Sequence, residues 1–135
     1  MDNVHFTLET DGDNIAWLTF DKADAGTNVL NAEVFDQLDQ QLQSIAAQNP
    51  RGLVIVSGKT NGFIAGADIT AFTGVKNTEQ AMAFLRRGQE VFNELEALPF
   101  PTVALIHGFC LGGGTELSLA CRYRITRDDA GTRMG

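Results

Sequence analysis

Cysteine is scarce in this chain: Cys110 and Cys121 are the only two among 135 residues. Two thiols without neighbouring ligand spacing make neither a disulfide framework nor a zinc site, so both are expected as small buried apolar side chains. Histidine is as rare. His5 and His107 have no metal-ligand spacing, and no metal is expected. His107 ends an apolar run and reads as a hydrogen-bonded structural residue, whereas His5 reads as a strand residue facing water. Basic residues are few, with 10 Lys and Arg against 17 Asp and Glu and a net charge of −7. That balance argues against nucleic acid and against a basic membrane-docking surface. Long apolar runs are absent too. Leu53 to Val56 and Val103 to Ile106 fall far short of the ~20 residues a membrane-spanning helix needs. The start of the chain, MDNVHFTLETDGD, has neither a basic region nor an apolar core of a secretory signal, so a cytoplasmic location is expected.

Familiar signatures fail on counting. Gly58-Lys59-Thr60 ends like a phosphate loop, but the glycine that should open it falls on Leu53. The dinucleotide fingerprint around Gly112 fails because its third glycine falls on Leu117. There is no Gly-x-Ser-x-Gly elbow.

What remains is an alternation of strands and helices. Val4 to Glu9 and Ile15 to Asp21 read as strands joined by the turn Asp11-Gly12-Asp13-Asn14. Asn31 caps a helix to about Gln48, whose Val34, Phe35, Leu38, Leu42 and Ile45 form one apolar stripe, and Asn49-Pro50 ends it. Gly52 to Ser57 is an apolar strand. A second helix runs from Asn77 to about Leu98, with Ala83, Phe84, Val91, Phe92, Leu95 and Leu98 on its buried side. Pro99 and Pro101 stop that helix and set Thr102 to His107 extended. A last strand spans Tyr123 to Thr126, and Arg127 to Thr132 reads as a mobile loop. Strands alternating with helices imply an α/β layer fold with a largely parallel sheet. No internal repeat or interdomain linker is visible, and the length suits one domain.

The chemistry concentrates at Gly108-Phe109-Cys110-Leu111-Gly112-Gly113-Gly114-Thr115-Glu116. This is a glycine turn between a buried strand and a helix start. Glycines there let backbone approach a ligand closely, and free N–H groups at a helix start can hold an oxygen that gains negative charge. Glu116, one turn in, could reach the same group. Asn61 to Thr70, NGFIAGADIT, is another small-residue loop after an apolar strand. Two such loops can supply two donors to one oxygen, the requirement of an oxyanion hole. Adjacent Arg86 and Arg87 read as solvated helix residues more readily than as phosphate contacts.

The segments Ala65-Gly66-Ala67-Asp68-Ile69 and His107 to Glu116 together resemble the crotonase superfamily of enoyl-CoA hydratases and isomerases, in consistent order from Ile15 to Gly135. Gly26-Thr27-Asn28-Val29-Leu30 and Leu119 to Ile125 narrow the resemblance to the N-terminal domain of multifunctional fatty-acid oxidation alpha subunits. The resemblance implies an α/β crotonase-like (ClpP/crotonase) fold of repeated ββα layers. It assigns the amides of Ala67 and Gly113 to the oxyanion hole, Glu116 to catalysis, and Asp68 and Ile69 to coenzyme A binding. It implies acyl-CoA as substrate, with coenzyme A carried by the substrate and no cofactor held by this segment. NAD is implied only for a downstream hydroxyacyl-CoA dehydrogenase domain, and the partners implied are further copies of the chain or a thiolase beta subunit. Met134-Gly135 resemble the lead-in to the segment carrying the family's second catalytic glutamate. Residues 1–135 are therefore expected to be the N-terminal portion of the hydratase/isomerase domain, truncated before its end and nearly inactive alone. The activity expected of the intact protein is hydration of trans-2-enoyl-CoA in β-oxidation. Isomerisation, or an inactive acyl-CoA-binding fragment, is the alternative.

Overall fold

The computed structural model describes residues 3–68 and 78–135. Its strands and helices follow in the order β1 (Phe6–Thr10), β2 (Ile15–Phe20), β3 (Val29–Leu30), α1 (Ala32–Gln48), β4 (Gly52–Ser57), β5 (Gly62–Ile64), β6 (Gly66–Ala67), α2 (Thr78–Glu96), β7 (Thr102–Ile106), β8 (Phe109–Cys110), α3 (Gly113–Ala120), β9 (Tyr123–Thr126) and β10 (Arg133–Met134). The long strands form one sheet in the order β1-β2-β4-β7-β9. Only the β1–β2 hairpin is antiparallel; β2–β4, β4–β7 and β7–β9 are parallel. The short strands make a second sheet, β10-β8-β5, and β3 pairs with β6.

This order is a unit used repeatedly. Long strand, short strand, helix recurs as β2-β3-α1, as β4-β5-β6-α2 and as β7-β8-α3. Parallel strands need a long crossover between them, and a helix supplies it each time. The layering agrees with the ββα expectation, although no sequence repeat announces it. The shared element is backbone geometry.

Local chemistry sets the boundaries. The Asp11 carboxylate accepts the N–H groups of Asp13 and Ile15 at 2.8 and 3.0 Å, and the Trp17 indole N–H at 2.9 Å, closing the first turn. Asn31 Oδ1 accepts the Val34 N–H at 2.8 Å and caps α1. Asn49 ends that helix in the left-handed region, φ 49°, donating to Ile45 and Ala46. Asn77, the expected start of α2, lies outside the described residues.

One apolar cluster forms the interior. Strand periodicity turns Ala16, Leu18, Phe20, Leu53, Ile55, Ala104 and Ile106 to one face of the long sheet. The α1 stripe and the α2 residues Phe84, Val91, Phe92 and Leu95 are buried in the same cluster. Cys110 and Cys121 are buried as expected, and burial pushes the Cys121 thiol up to about 12. No helix among the described residues is long and apolar enough to cross a membrane.

One expectation changes here. His5 does not face water: it is 2 % exposed. Its Nδ1 accepts the Ala23 N–H at 3.0 Å, which places the ring proton on Nε2, 2.6 Å from the Glu33 carboxylate on α1. The helix that covers this strand converts a surface-looking position into an anchor. Arg127 to Thr132 forms no helix or strand, in keeping with a loop, and β10, which follows it, adds to β8 in parallel register. Thr132 Oγ accepts the Gly108 N–H at 3.1 Å.

An acidic pair joins α1 to α2. The hydrogen bond from Glu94 holds the Asp39 carboxyl below its ordinary range, and Arg87 reinforces that with a contact of 2.8 Å. Glu94 is pushed up to about 7, by burial first and then by Asp39. Arg87 also reaches Asp36 at 3.3 Å, so it ties the two helices while its side chain stays partly exposed. A carboxyl whose folded-state pKa is raised holds its proton more tightly when folded. Its contribution is full below its ordinary value near 4.5 and disappears as pH rises through about 7. Melting temperature should therefore fall between pH 5 and 8 by an amount equivalent to about 1 kcal/mol or less, since the pair is partly solvated. Glu94→Gln, which can donate to Asp39 at any pH, should flatten that fall. An unchanged slope in thermal melts would exclude the shared proton.

Candidate active site

The site forms where the second layer meets the start of α3. Asn28, fully buried, fixes the strand ends around it: Oδ1 accepts the Lys22 N–H at 2.9 Å, and Nδ2 faces the carbonyls of Phe20 and Phe63 and the hydroxyl of Ser57. The Lys59 ammonium binds the Asp21 carboxylate at 2.7 Å and the Lys22 and Ala25 carbonyls, pinning the loop before β3. His107 Nε2 lies 2.8 Å from the Lys59 carbonyl, the structural role expected of it. The lysine of the failed phosphate loop is thus a clamp.

β6 follows from these anchors. Asp68 N–H donates to the Leu30 carbonyl at 2.8 Å in the β3–β6 ladder. In a parallel ladder, neighbouring residues alternate the side to which their N–H groups point. The Ala67 N–H therefore faces away from β3. On that side stands Gly113, the first residue of α3, where helical geometry leaves N–H groups without intrahelical acceptors. A Cβ built on Gly113 would lie 3.8 Å from the Ala67 nitrogen and only 2.8 Å from Leu30 Cδ1. The two loops meet with just enough room for a glycine.

Three further glycines hold α3 in place. Gly112, at φ 50°, turns the chain into the helix, and its N–H donates to the Gly135 carbonyl at 2.9 Å. Gly114 lies against β5, where an added Cβ would be 2.7 Å from Ile64 Cβ and 2.8 Å from the Ile64 carbonyl oxygen. Gly108, at φ 66°, crosses the backbone of Asn61 and Gly62 so closely that a Cβ would stand 2.5 Å from the Asn61 carbonyl oxygen. These are positions where the freedom of glycine is required.

Ala67, Gly113 and Glu116 line one small cavity of about 40 Å³ with Leu30, Phe35 and Phe92. The Glu116 N–H donates to Gly112 at 3.0 Å inside the first turn, and its side chain is exposed. Three of the five expected site residues are thus brought together by chain folding. Asp68 follows Ala67 directly and is half-buried, while Ile69 lies outside the described residues. Arg87 is committed to α1 and does not line the cavity. Among the described residues no three His, Cys, Asp or Glu side chains are grouped to hold a metal ion.

A family model for enoyl-CoA hydratase/isomerase matches residues 15–134, nearly the whole chain and all of this site. The chain belongs to the enoyl-CoA hydratase/isomerase family. Its curated relatives include the fatty acid oxidation complex subunit alpha of Aliivibrio fischeri, 47 % identical over 132 residues, covering 96 % of this chain and 19 % of that protein. The subunit of the same name from Shewanella baltica is 45 % identical over 131 residues, with the same coverage. Among solved structures, an enoyl-CoA hydratase/carnithine racemase from Magnetospirillum magneticum superposes with a TM-score of 0.85 at 31 % identity, over 100 % of this chain and 49 % of that one. An enoyl-CoA hydratase from Bacillus anthracis gives 0.85 at 28 %, over 97 % and 50 %. The chain spans about a fifth of the curated relatives' length and about half of these solved chains.

The cavity is lined by residues that sequence reasoning placed only in the core. Phe35, Phe84 and Phe92 read as helix stripes, yet they wall the cavity. The available signal was Gly88, a glycine in the middle of a helix, which calls for a packing reason.

Proposed function

We propose that this chain carries the oxygen-binding site and one acid of an enoyl-CoA hydratase acting in fatty-acid β-oxidation. The carrying observation is that the Ala67 and Gly113 backbones approach each other in the cavity that Glu116 also lines. The Glu116 carboxylate takes a proton from water, whose oxygen bonds to C3 of a trans-2-enoyl thioester. The C2=C3 electron pair moves toward the carbonyl, and the negative charge on the thioester oxygen is held by the N–H groups of Ala67 and Gly113. A proton delivered to C2 completes the 3-hydroxyacyl product. Preorganised amides stabilise an oxyanion at no reorganisation at the moment of reaction, and a positioned base commonly contributes ~10²–10⁴ in rate.

The proton for C2 calls for a second acid. Gly135 bears on this, because its carbonyl accepts from the Gly112 N–H and from Thr115 Oγ at 2.7 Å. A segment continuing from Gly135 starts beside the first turn of α3, next to Glu116. Asp68 and Ile69 would meet the coenzyme A portion, and the names of the curated relatives support membership of an oligomeric fatty-acid oxidation complex.

The test is to incubate the native protein with trans-2-butenoyl-CoA and follow loss of the enoyl absorbance together with the mass of the product. A gain of one water is expected. Conversion of a 3-enoyl-CoA to its 2-enoyl isomer without water uptake would assign the site to isomerisation instead.

A further inference from the structure

The first turn of α3 is braced from outside the helix. Gly112, which precedes it, is tied at both of its polar groups: its N–H donates to the Gly135 carbonyl at 2.9 Å, and its own carbonyl accepts the Glu116 N–H at 3.0 Å. A trans peptide is planar, with its C=O and N–H pointing opposite ways. The direction of the Gly112 carbonyl therefore fixes that of the Gly113 N–H. The Gly135 oxygen that receives Gly112 has a second donor beside it. Half-buried Thr115 places Oγ 2.7 Å from that oxygen and 2.9 Å from the Cys110 carbonyl. A hydroxyl carries one proton to give. The Cys110 carbonyl already receives the Gly135 N–H at 2.9 Å, so the proton goes to the nearer oxygen, that of Gly135.

We propose that Thr115 is a positioning residue: its hydroxyl holds the Gly135 carbonyl against Gly112 and so aims the Gly113 N–H. The inference rests on the enoyl-CoA reading, in which that N–H receives the thioester oxygen. Helix geometry leaves the first amides of α3 without intrahelical partners, and Gly112, at φ 50° and followed by two more glycines, has little steric restraint of its own. The restraint comes from β10. That strand is anchored on β8, where the Arg133 N–H donates to Gly108 and the Gly135 N–H to Cys110, both at 2.9 Å. Thr115 carries the anchor across to α3 from a position two residues beyond Gly113. It does not line the cavity, so it acts through Gly112 and not on the substrate. Removing the hydroxyl orphans no backbone group, since the Gly135 carbonyl keeps the Gly112 N–H and the Cys110 carbonyl keeps the Gly135 N–H. The loss falls on alignment, and hence on rate, more than on folding.

The experiment compares the native protein with Thr115→Val, which keeps the shape and drops the hydroxyl, and Thr115→Ser, which keeps the hydroxyl. Thr115→Ala, a better helix former, carries the same test if valine disturbs the packing. Trans-2-butenoyl-CoA gives kcat and KM. Saturated butanoyl-CoA gives a dissociation constant and, labelled with carbon-13 at the thioester carbonyl, an infrared band that hydrogen bonding lowers. Amide hydrogen exchange is followed at Gly112. Outright loss of an oxyanion donor costs ~10²–10³ in kcat, so a donor left in place but loosely aimed should cost about 10-fold or more. Thr115→Val should show that fall with butanoyl-CoA binding within about threefold of native. Its Gly112 amide should exchange about threefold faster or more, and its carbonyl band should move back toward that of free butanoyl-CoA. Thr115→Ser should restore all three. A Thr115→Val protein that keeps kcat within about twofold of native, or a serine variant that fails to restore it, overturns the positioning role and leaves the hydratase reading standing. If the native protein hydrates nothing, the hydratase reading falls, and the exchange rate and carbonyl band decide the role of Thr115. Changes in valine that serine reverses support it; values unmoved by the substitution overturn it.

Discussion

Glu116→Gln is expected to lower kcat for enoyl-CoA hydration by at least ~100-fold while leaving acyl-CoA binding within about threefold, because the amide keeps the shape of the acid and loses its basicity. The side chain is exposed, so the fold should hardly register the change. Exposed substitutions usually fall within about 0.5 kcal/mol. The largest structural effect available is loss of a negative charge in the first turn of α3, a dipole contribution of about 0.3–1 kcal/mol. Rate and stability therefore separate the roles. Stopped-flow absorbance gives kcat, calorimetry the dissociation constant, and thermal melting the stability. A variant that keeps more than about a tenth of its kcat would place Glu116 among structural helix-start acids and remove the base from the mechanism.

The sequence made the long elements legible and the short ones not, for a physical reason. β4 occupies Gly52–Ser57, as its apolar run predicts, and α1 starts after Asn31 and stops at Asn49 as their capping chemistry requires. Such signals are local. β3, β5, β6, β8 and β10 have two or three residues each, too few for a period. They exist because parallel partners far along the chain satisfy their backbone groups, as Arg133 does with Phe109 and Val29 with Gly66. His5 was misread for the same reason. Its neighbours Val4 and Phe6 say strand, but its ring partner is Glu33, 28 positions away on α1.

The site divides along similar lines. Glycines at a strand-to-helix junction carry a steric message of their own, so Gly113 and, by its position after them, Glu116 could be picked out directly. That Ala67 would face Gly113 needed a second loop and the family resemblance, and the β3–β6 ladder supplies the physical cause. The aromatic lining was hidden because a phenylalanine that fills a core and one that also lines a cavity share one sequence pattern. Only the cavity that α1 and α2 share with the start of α3, lined by Phe35, Phe84 and Phe92, distinguishes them.

Gly114→Ala provides the sharpest test that α3 must sit hard against β5. Helix propensity alone favours alanine by about 1 kcal/mol. Opposing it, the new methyl would stand 2.7 Å from Ile64 Cβ and 2.8 Å from the Ile64 carbonyl oxygen. That oxygen also accepts the Leu111 N–H at 3.0 Å, so it cannot retreat without opening the turn that leads into the helix. Overpacking against backbone commonly costs 1–3 kcal/mol, so the clash outweighs the propensity gain, and α3 relieves it by lifting from the strand. Gly113 moves with its helix and its N–H leaves the position facing Ala67. Loss of one oxyanion donor lowers kcat by ~10²–10³. The expected result is thus a lower melting temperature together with a fall in kcat of about 100-fold or more. Gly12→Ala is the control: no atom lies within 4 Å of the added methyl, and its stability and rate should stay near those of the unmodified protein. If Gly114→Ala melts and turns over like Gly12→Ala, close contact between α3 and β5 does not position the oxyanion donors.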